Sequence, residues 1–209
     1  MMDFATAKAQ LPLVAILRGI QPDESIAIVK ALIEAGFTLI EVPLNSPDAL
    51  VSIDKLSRTY SDRACFGAGT VLTPQDVKAV KVAGGSLIVS PNLNEEVARE
   101  AATQQMTYLP GVVTPSEAFR AIELGAAGLK FFPAEMISPA ILKAMTAVLP
   151  KHVPLFPVGG ITPDAMGAYW KAGATGFGLG SSLYKPGQSV GDVTRSALAF
   201  REAISKLMA

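Results

Sequence analysis

Short apolar runs rich in strand-forming residues alternate with helical patterns along the whole chain, and this alternation restricts the possible folds more than any other feature. The runs recur at intervals of roughly 20 to 30 residues, and most are continuously apolar instead of alternating in polarity. Parallel strands that are covered by helices on both faces have this pattern. The eight predicted strands are Leu13–Leu17, Thr38–Val42, Cys65–Gly69, Ser86–Val89, Met106–Leu109, Gly128–Phe132, Leu155–Val158 and Thr175–Leu179.

Helix boundary signals stand between the predicted strands. A hydroxyl residue followed by proline predicts a helix start, because the hydroxyl caps the helix and proline fits its first turn. Glycine after a helical pattern predicts the helix end. The start signals are Ser46-Pro47, Thr73-Pro74, Thr114-Pro115, Ser138-Pro139 and Thr162-Pro163, and the end signals are Gly36, Gly84, Gly125 and Gly173. Eight strand–helix units in 209 residues predict an α/β protein in which residues 1–209 form a single (β/α)8 barrel, or TIM barrel.

An open doubly wound sheet is the rival architecture. Its dinucleotide-binding members carry a run of three spaced glycines, whereas the segment Gly67-Ala-Gly69 continues with Thr-Val-Leu and lacks the third glycine. The chain also has no linker, low-complexity tract or composition break. We therefore expect the barrel.

Composition excludes several functional classes. Lys plus Arg and Asp plus Glu number 18 each, so the chain lacks the basic excess of proteins that bind nucleic acid or membrane surfaces. The single cysteine, Cys65, and single histidine, His152, rule out an internal disulfide and a Cys/His zinc cluster. The sequence contains neither an apolar run long enough for a membrane helix nor a signal-peptide core at its start. We expect a cytoplasmic protein without a metal site.

Only three fully charged side chains fall within the predicted strands or at their immediate ends, namely Arg18, Glu41 and Lys130. A charge on a core strand is costly unless it is paired or lies at a strand end that faces a polar cleft. The C-terminal strand ends of a barrel carry its catalytic groups. These three residues are therefore the leading candidates for an active site.

Each of the three has a chemical and a structural interpretation. Lys130 has apolar neighbours that should lower its pKa and free an amine nucleophile, although its ammonium could instead reach the surface. Glu41 could move protons beside such an amine, or it could form a structural ion pair with Arg18 or Lys130. Arg18 has the donors to bind a substrate carboxylate or phosphate, or it could simply pair with Glu41.

Two glycine turns lie late in the chain, at residues 158–163 and 178–182. Backbone N–H groups at a helix start bind phosphate well, and barrels often bind phosphate after their seventh and eighth strands. Glycine also serves ordinary turns, but two turns in the expected register favour a phosphate site.

Together these segments resemble the aldolases that cleave 2-keto-3-deoxy-6-phosphosugar acids, the KDPG/KHG aldolase family. The resemblance covers nearly the full chain in order. It is carried by Ile-Leu-Arg18-Gly-Ile, Ile-Glu41-Val-Pro-Leu-Asn-Ser-Pro, Gly-Ala-Gly-Thr70-Val-Leu, Val-Ser-Pro91-Asn, Pro110-Gly-Val, Leu-Lys130-Phe-Phe-Pro-Ala-Glu135, Val-Gly159-Gly160-Ile and Gly-Leu-Gly180-Ser181.

The resemblance implies a metal-independent and cofactor-independent lyase that works through an imine. Lys130 would attack the C2 ketone of the substrate, and Glu41 would move protons at the carbinolamine and at the C4 hydroxyl. Cleavage of the C3–C4 bond would release D-glyceraldehyde 3-phosphate and leave pyruvate. The residues that would bind substrate are Arg18 and Thr70 near the pyruvate end, Gly160, Gly180 and Ser181 at the phosphate, and Pro91 and Gly159 in the same motifs.

The resemblance also bears on substrate stereochemistry and assembly. Gluconate-type relatives often have threonine before the glycine pair, and some have arginine four residues after the glutamate, where this chain has Val158 and Asn45. These differences favour the galactonate epimer, with the gluconate epimer as the alternative. Family members are usually homotrimers, which agrees with a charged fraction of only 17%. A phosphosugar isomerase or epimerase on the same barrel, with Glu41 as the base, and a binding module without catalysis are the other hypotheses.

Overall fold

A computed structural model describes residues 1–209 as parallel β-strands surrounded by α-helices. The strands are β1 (Leu13–Ile16), β2 (Leu39–Pro43), β3 (Cys65–Gly69), β4 (Leu87–Val89), β5 (Thr107–Leu109), β6 (Gly111–Val112), β7 (Leu129–Phe131), β8 (Leu155–Pro157) and β9 (Phe177–Leu179). Every predicted strand has a counterpart among them. Pro110 separates the short strand β6 from β5, so the fifth predicted run continues further than expected.

The helices are α1 (Phe4–Gln10), α2 (Ser25–Glu34), α3 (Ala49–Tyr60), α4 (Pro74–Val82), α5 (Glu95–Thr103), α6 (Pro115–Glu123), α7 (Pro139–Thr146), α8 (Pro163–Lys171) and α9 (Val190–Met208). No helix combines the length and apolar character that crossing a bilayer requires.

Most predicted helix boundaries are confirmed. Thr73, Thr114, Ser138 and Thr162 each cap a helix whose first residue is the following proline, and the Thr114 hydroxyl and Glu117 form the predicted capping box. Gly36, Gly84, Gly125 and Gly173 all have positive φ directly beyond their helices. The prediction for Ser46 is wrong. Helix α3 begins three residues later, and the Ser46 hydroxyl instead accepts a hydrogen bond from the Gly19 N–H at 2.9 Å.

The strands form two curled parallel sheets, one of six strands in the order β5-β4-β3-β2-β1-β9 and one of three in the order β6-β7-β8. The sheets meet at two places. Next to Pro110, the Lys130 N–H donates to the Pro110 carbonyl at 2.9 Å, and on the other side Val158 forms an isolated bridge with Gly178. The architecture is therefore a parallel-strand α/β fold in which the strand ends converge on one side.

Two apolar layers stabilise this arrangement. The larger contains 53 buried residues and lies between the strands and the outer helices. The smaller contains 11 residues that fill the concave interior of the sheets, and helix α1 closes the interior from below with Phe4 and Ala7. The Phe4 ring lies 6.3 Å from that of Phe156. Burial on both faces explains why the strands read as continuous apolar runs.

Candidate active site

The main cavity, of about 670 Å³, opens where the chain leaves β1, β7, β8 and β9. These are C-terminal strand ends, the side on which parallel α/β barrels carry their active sites. Six of the residues proposed from sequence line it: Arg18, Lys130, Gly159, Gly160, Gly180 and Ser181.

Glu41 lies deeper, in a small void of about 10 Å³ beneath the main cavity. Lys130 lines both spaces, so its side chain lies between the open cavity and the Glu41 carboxylate. The remaining walls of the void are mostly apolar, including Val14, Leu109 and Phe156. Strands β2 and β7 thus bring an acid and an amine together inside an otherwise hydrophobic interior.

The Lys130 side chain does not reach bulk solvent, because the residue is only 6% exposed. Burial lowers the pKa of Lys130, the nearby Arg18 charge lowers it further, and Glu41 partly opposes the change. Its Nζ lies 4.7 Å from the centre of the Phe132 ring. A buried lysine with a lowered pKa supplies the neutral amine that nucleophilic attack on a carbonyl requires.

Glu41 is 1% exposed and its Oε2 atom has no hydrogen-bond partner. Burial raises the pKa of Glu41 to about 7, while the charges of Lys130 and Arg18 and the Gly69 N–H limit the rise. A carboxyl group with a pKa near neutrality can both accept and donate a proton at physiological pH. Glycine at position 69 makes this placement possible, since a Cβ there would lie 2.0 Å from Glu41 Oε2.

Arg18 is held by polar partners on the loops after β2 and β3. One guanidinium nitrogen donates to Asn45 Oδ1 at 2.5 Å, and Thr70 Oγ1 accepts from both terminal nitrogens at 3.4 and 3.5 Å. Thr70 has a positive φ of 55°, which is costly for a β-branched residue. This strained backbone directs the threonine hydroxyl toward the arginine, so the two can bind the same anionic group.

The two glycine turns provide a second anion-binding surface. Backbone N–H groups of Gly159, Gly160, Gly180 and Ser181 donate to no acceptor within the protein. The Ser182 hydroxyl donates to the Ile161 carbonyl at 2.7 Å and ties the two turns together. Free N–H groups next to the start of a helix are well suited to a phosphate.

The Glu135 carboxylate lies against the glycine pair, which sequence reasoning did not anticipate. A Cβ at Gly159 would be 2.4 Å from Glu135 Oε2, and one at Gly160 would be 3.1 Å from Oε1. The short 3₁₀ turn of residues 134–136 after β7 places this side chain there. Glycine suits both positions for two reasons. It leaves room for the Glu135 carboxylate, and it adopts the positive φ angles found there without strain.

Other site residues differ in how well sequence could have identified them. Pro91 does not line the main cavity, and its carbonyl packs against Gly111, where a Cβ would lie 2.1 Å away. Tyr184 and Lys185 do line it, but they lie in an irregular segment after β9 that carries no periodic or capping signal.

No cluster of three or more His, Cys, Asp and Glu side chains with the arrangement of a metal site occurs in the chain.

Several known proteins with similar sequences and structures are named aldolases. Residues 5–195 match the family described as KDPG and KHG aldolase. The 2-dehydro-3-deoxy-6-phosphogalactonate aldolase of Escherichia coli strain K12 is 48% identical over 196 residues, covering 94% of this chain and 96% of that protein. A Rhizobium meliloti strain 1021 protein named "Probable 2-dehydro-3-deoxy-6-phosphogalactonate aldolase" is 50% identical over 188 residues, covering 90% and 89%. A solved structure described as native KDPGal superposes with a TM-score of 0.94 at 48% identity, covering 95% of this chain and 97% of that one.

Proposed function

The chain belongs to the KDPG and KHG aldolase family, and we propose that it cleaves 2-dehydro-3-deoxy-6-phosphogalactonate to pyruvate and D-glyceraldehyde 3-phosphate. Such an enzyme is a carbon–carbon lyase that serves galactonate catabolism. Two relatives at 48% and 50% identity carry the name of this activity. The observation that carries the proposal is the buried Lys130 amine, whose pKa is lowered and which lies between the open cavity and Glu41.

The proposed reaction begins with attack of the neutral Lys130 amine on the C2 ketone. Loss of water from the carbinolamine, with protons moved by Glu41, gives an iminium ion. Glu41 then accepts the proton of the C4 hydroxyl, the C3–C4 bond breaks, and its electron pair moves into the iminium to form an enamine. D-Glyceraldehyde 3-phosphate leaves, the enamine is protonated at C3, and hydrolysis releases pyruvate and the free amine. A carboxyl group with a pKa of about 7 suits both proton transfers.

The two ends of the substrate would bind to the two anion-binding surfaces. Arg18 and Thr70, which share hydrogen bonds, would hold the carboxylate of the pyruvate end. The free N–H groups of Gly160, Gly180 and Ser181 would hold the phosphate, with Gly159 completing the turn. Pro91 would lie at the edge of the substrate site, since it does not line the main cavity.

Trapping with borohydride tests the imine. Pyruvate with borohydride should leave a stable adduct on the peptide that contains Lys130, and Lys130→Met should abolish both trapping and cleavage. Lys143→Met, which removes an exposed lysine on α7, should keep both. An adduct on another lysine, or none, would refute the mechanism. A phosphosugar isomerase would give no adduct and would exchange a substrate proton without breaking a carbon–carbon bond.

The C4 epimer preference rests on Val158, an apolar side chain that lines both the main cavity and the void around Glu41. A hydrogen-bonding side chain is absent at this position, which favours the galactonate epimer over the gluconate epimer. The ratio of kcat/KM for the two epimers decides between them, because specificity is a ratio of those constants. A larger value for the gluconate epimer would overturn the preference.

We also propose that residues 1–209 form one domain whose two sheets close into a (β/α)8 barrel. The hydrogen bond at Pro110 and the bridge between Val158 and Gly178 support closure, because they join the sheets at both edges. Counting β5 and β6 as one strand gives eight strands. Backbone amide exchange tests this, since a closed barrel should protect the amides of Ala127 and Thr175, which donate across the two junctions to the carbonyls of Tyr108 at 3.0 Å and Leu155 at 2.9 Å. Rapid exchange at either amide would argue for an open edge.

The enzyme is further proposed to be a cytoplasmic homotrimer. Its one cysteine, Cys65, is buried and free, as is usual in a reducing compartment. A groove between α3 and α4 exposes Val51 and Val82, the latter 88% exposed, so this surface suits contact with another subunit. Light scattering should give the mass of three chains, and Val82→Glu should reduce it. A monomeric wild-type protein would refute the assembly.

A further inference from the structure

Two loops that are far apart in sequence meet at the mouth of the main cavity. The first loop, residues 17–24, follows β1 and carries Arg18, and the last loop, residues 180–189, follows β9 and carries Gly180 and Ser181. Because β1 pairs with β9 in parallel, both loops leave neighbouring strand ends. In the proposed function the first loop binds the substrate carboxylate and the last loop binds its phosphate.

A partly buried hydrogen bond joins the loops. The Tyr184 hydroxyl donates to Glu24 Oε1 at 2.7 Å, and the same oxygen accepts the Gln21 N–H at 3.0 Å. Tyr184 is only 2% exposed. Burial and the adjacent Glu24 carboxylate raise the pKa of Tyr184, so the phenol keeps its proton and remains a donor. Hydrogen bonds from a neutral donor to a carboxylate are among the stronger ones in proteins.

A packing contact reinforces the same junction beside Arg18. Gly19 has a φ of +83°, and a Cβ there would lie 2.6 Å from Pro186 Cγ. On its other side the Gly19 N–H donates to the Ser46 hydroxyl at 2.9 Å. The peptide that follows Arg18 is therefore fixed between the loop after β2 and the last loop. Asn45 and Thr70 hold the Arg18 guanidinium itself, while Pro186 and Tyr184 set the distance from this peptide to the last loop.

We propose that Tyr184 is a positioning residue which, through Glu24, holds the first and last loops at a fixed separation matched to a substrate with an anionic group at each end. The inference rests on the proposed function. Tyr184 itself does not take part in bond cleavage. It keeps Arg18 and the phosphate-binding N–H groups in register, so that a substrate bound at one end is already aligned at the other.

This role predicts a selective effect. A substrate that uses both loops gains from their preorganisation, because binding does not then have to restrict their relative motion. Pyruvate has only the carboxylate end and gains nothing from the last loop. Loss of the hydrogen bond should weaken binding of the phosphorylated six-carbon acid and leave the chemistry of pyruvate at Lys130 unchanged.

The test compares two reactions in the same variants. One is cleavage of 2-dehydro-3-deoxy-6-phosphogalactonate, and the other is exchange of the pyruvate methyl protons with D₂O, which also requires the Lys130 enamine. Tyr184→Phe and Glu24→Leu should each raise KM for cleavage about tenfold, the order of one such hydrogen bond, with kcat nearly unchanged and exchange unaffected. Glu24→Gln retains an acceptor oxygen but not the charge, so it should raise KM less than Glu24→Leu does. Tyr60→Phe, at the end of α3, is the matched control.

The double variant Tyr184→Phe/Glu24→Leu should be no worse than either single variant, because both remove one interaction. An unchanged KM, a parallel loss of pyruvate exchange, or multiplied effects in the double variant would each overturn the inference. A different result would refute the proposed function. Absence of pyruvate exchange in the wild-type enzyme would overturn both proposals, whereas wild-type exchange with unchanged KM in the variants would overturn only this one.

Discussion

The Lys130 amine and the Glu41 carboxylate line the same buried void, yet no ion pair within 4.0 Å joins them. Burial lowers the pKa of Lys130 and raises that of Glu41, and the charge of each partner moderates the shift of the other. A close ion pair would fix both groups in their charged forms. Their separation instead leaves space between the two groups, and burial favours the neutral amine at Lys130 and the protonated acid at Glu41.

The buried Glu41 carboxyl should make the stability of the folded protein depend on pH in an unusual way. The effect should be clearest in a variant that lacks Lys130. Lys130→Met removes a charge that holds down the pKa of Glu41, so that pKa should stay above its present value of about 7. Between pH 4.5 and 7 the folded variant then keeps a proton that the unfolded chain has released. Its free energy of unfolding should fall as pH rises, by up to about 1.4 kcal/mol per pH unit.

Urea unfolding at pH 5, 6, 7 and 8 measures this slope. The control is Lys130→Met/Glu41→Gln, which has the same groups elsewhere and no carboxyl at position 41, so it should lack the additional slope. Equal slopes in the two variants would show that Glu41 titrates with its ordinary pKa.

Glycine at position 69 should be essential for activity because it makes room for the Glu41 carboxylate, to which the proposed reaction assigns the proton transfers. In Gly69→Ala the new Cβ would lie 2.0 Å from Glu41 Oε2, so the flexible side chain must move while the strand remains. We expect a loss in kcat of at least about 100-fold, the lower end of general acid–base contributions, in a protein that still folds.

Gly167→Ala is the matched control for that substitution. It lies within α8, where the nearest atom to a new Cβ is Leu207 Cδ2 at 3.9 Å. Activity should be unchanged, and stability should increase by up to about 1 kcal/mol from helix propensity. Normal cleavage by Gly69→Ala would contradict the assigned place of Glu41 in the reaction.

Features encoded locally were predictable from sequence, and features that depend on distant contacts were not. The strands and the caps at Thr73 and Thr114 follow from short patterns that the fold preserves. Ser46 carries the same Ser-Pro signal, but a tertiary bond to Gly19 overrides it. The sequence does not predict helix α1, because Phe4 is its only large apolar residue and its role depends on closing the interior with Phe4.

The residues of the candidate site also fall into those that local sequence patterns identify and those that depend on distant contacts. Lys130 and Glu41 stood out because a charge within an apolar strand is rare. The hydrogen bond between Tyr184 and Glu24 joins residues 160 positions apart, and no sequence pattern at either position predicts the contact. Likewise, nothing in the sequence near Glu135 indicates that its carboxylate lies against the glycine pair in the turn after β8.

The planar fork of Arg18 should matter more than its charge. The guanidinium already donates to Asn45 and Thr70, and its remaining donors are free for a substrate carboxylate. Lysine keeps the charge but cannot make these contacts simultaneously. Arg18→Lys should raise KM for pyruvate in proton exchange by about tenfold or more, as expected for loss of a charge-assisted pair. Arg58→Lys, on the exposed face of α3, should have no effect, and an unchanged KM in Arg18→Lys would place the carboxylate elsewhere.

Glu135 should oppose phosphate binding. Its carboxylate has no ion pair or hydrogen bond and lies against the same Gly159 and Gly160 whose N–H groups are free. A phosphate at those groups would meet a like charge, and two charges about 4 Å apart repel by about 1 kcal/mol in water and about 4 kcal/mol near a protein surface. Glu135→Gln removes the repulsion with little change in shape. The inhibition constant of inorganic phosphate against cleavage should therefore fall at least about fivefold, the lower end of that range.

Pyruvate proton exchange in Glu135→Gln should be unaffected, because the proposed function places pyruvate at Arg18 and Thr70 and not at the glycine turns. Glu34→Gln, which changes an exposed carboxylate on α2, gives the baseline for losing one negative charge anywhere on the surface. Weaker phosphate binding in Glu135→Gln would show the opposite of the expected repulsion. The carboxylate would then be needed to hold the glycine turn in its binding conformation, and the positive φ angles of Gly159 and Gly160 would depend on it.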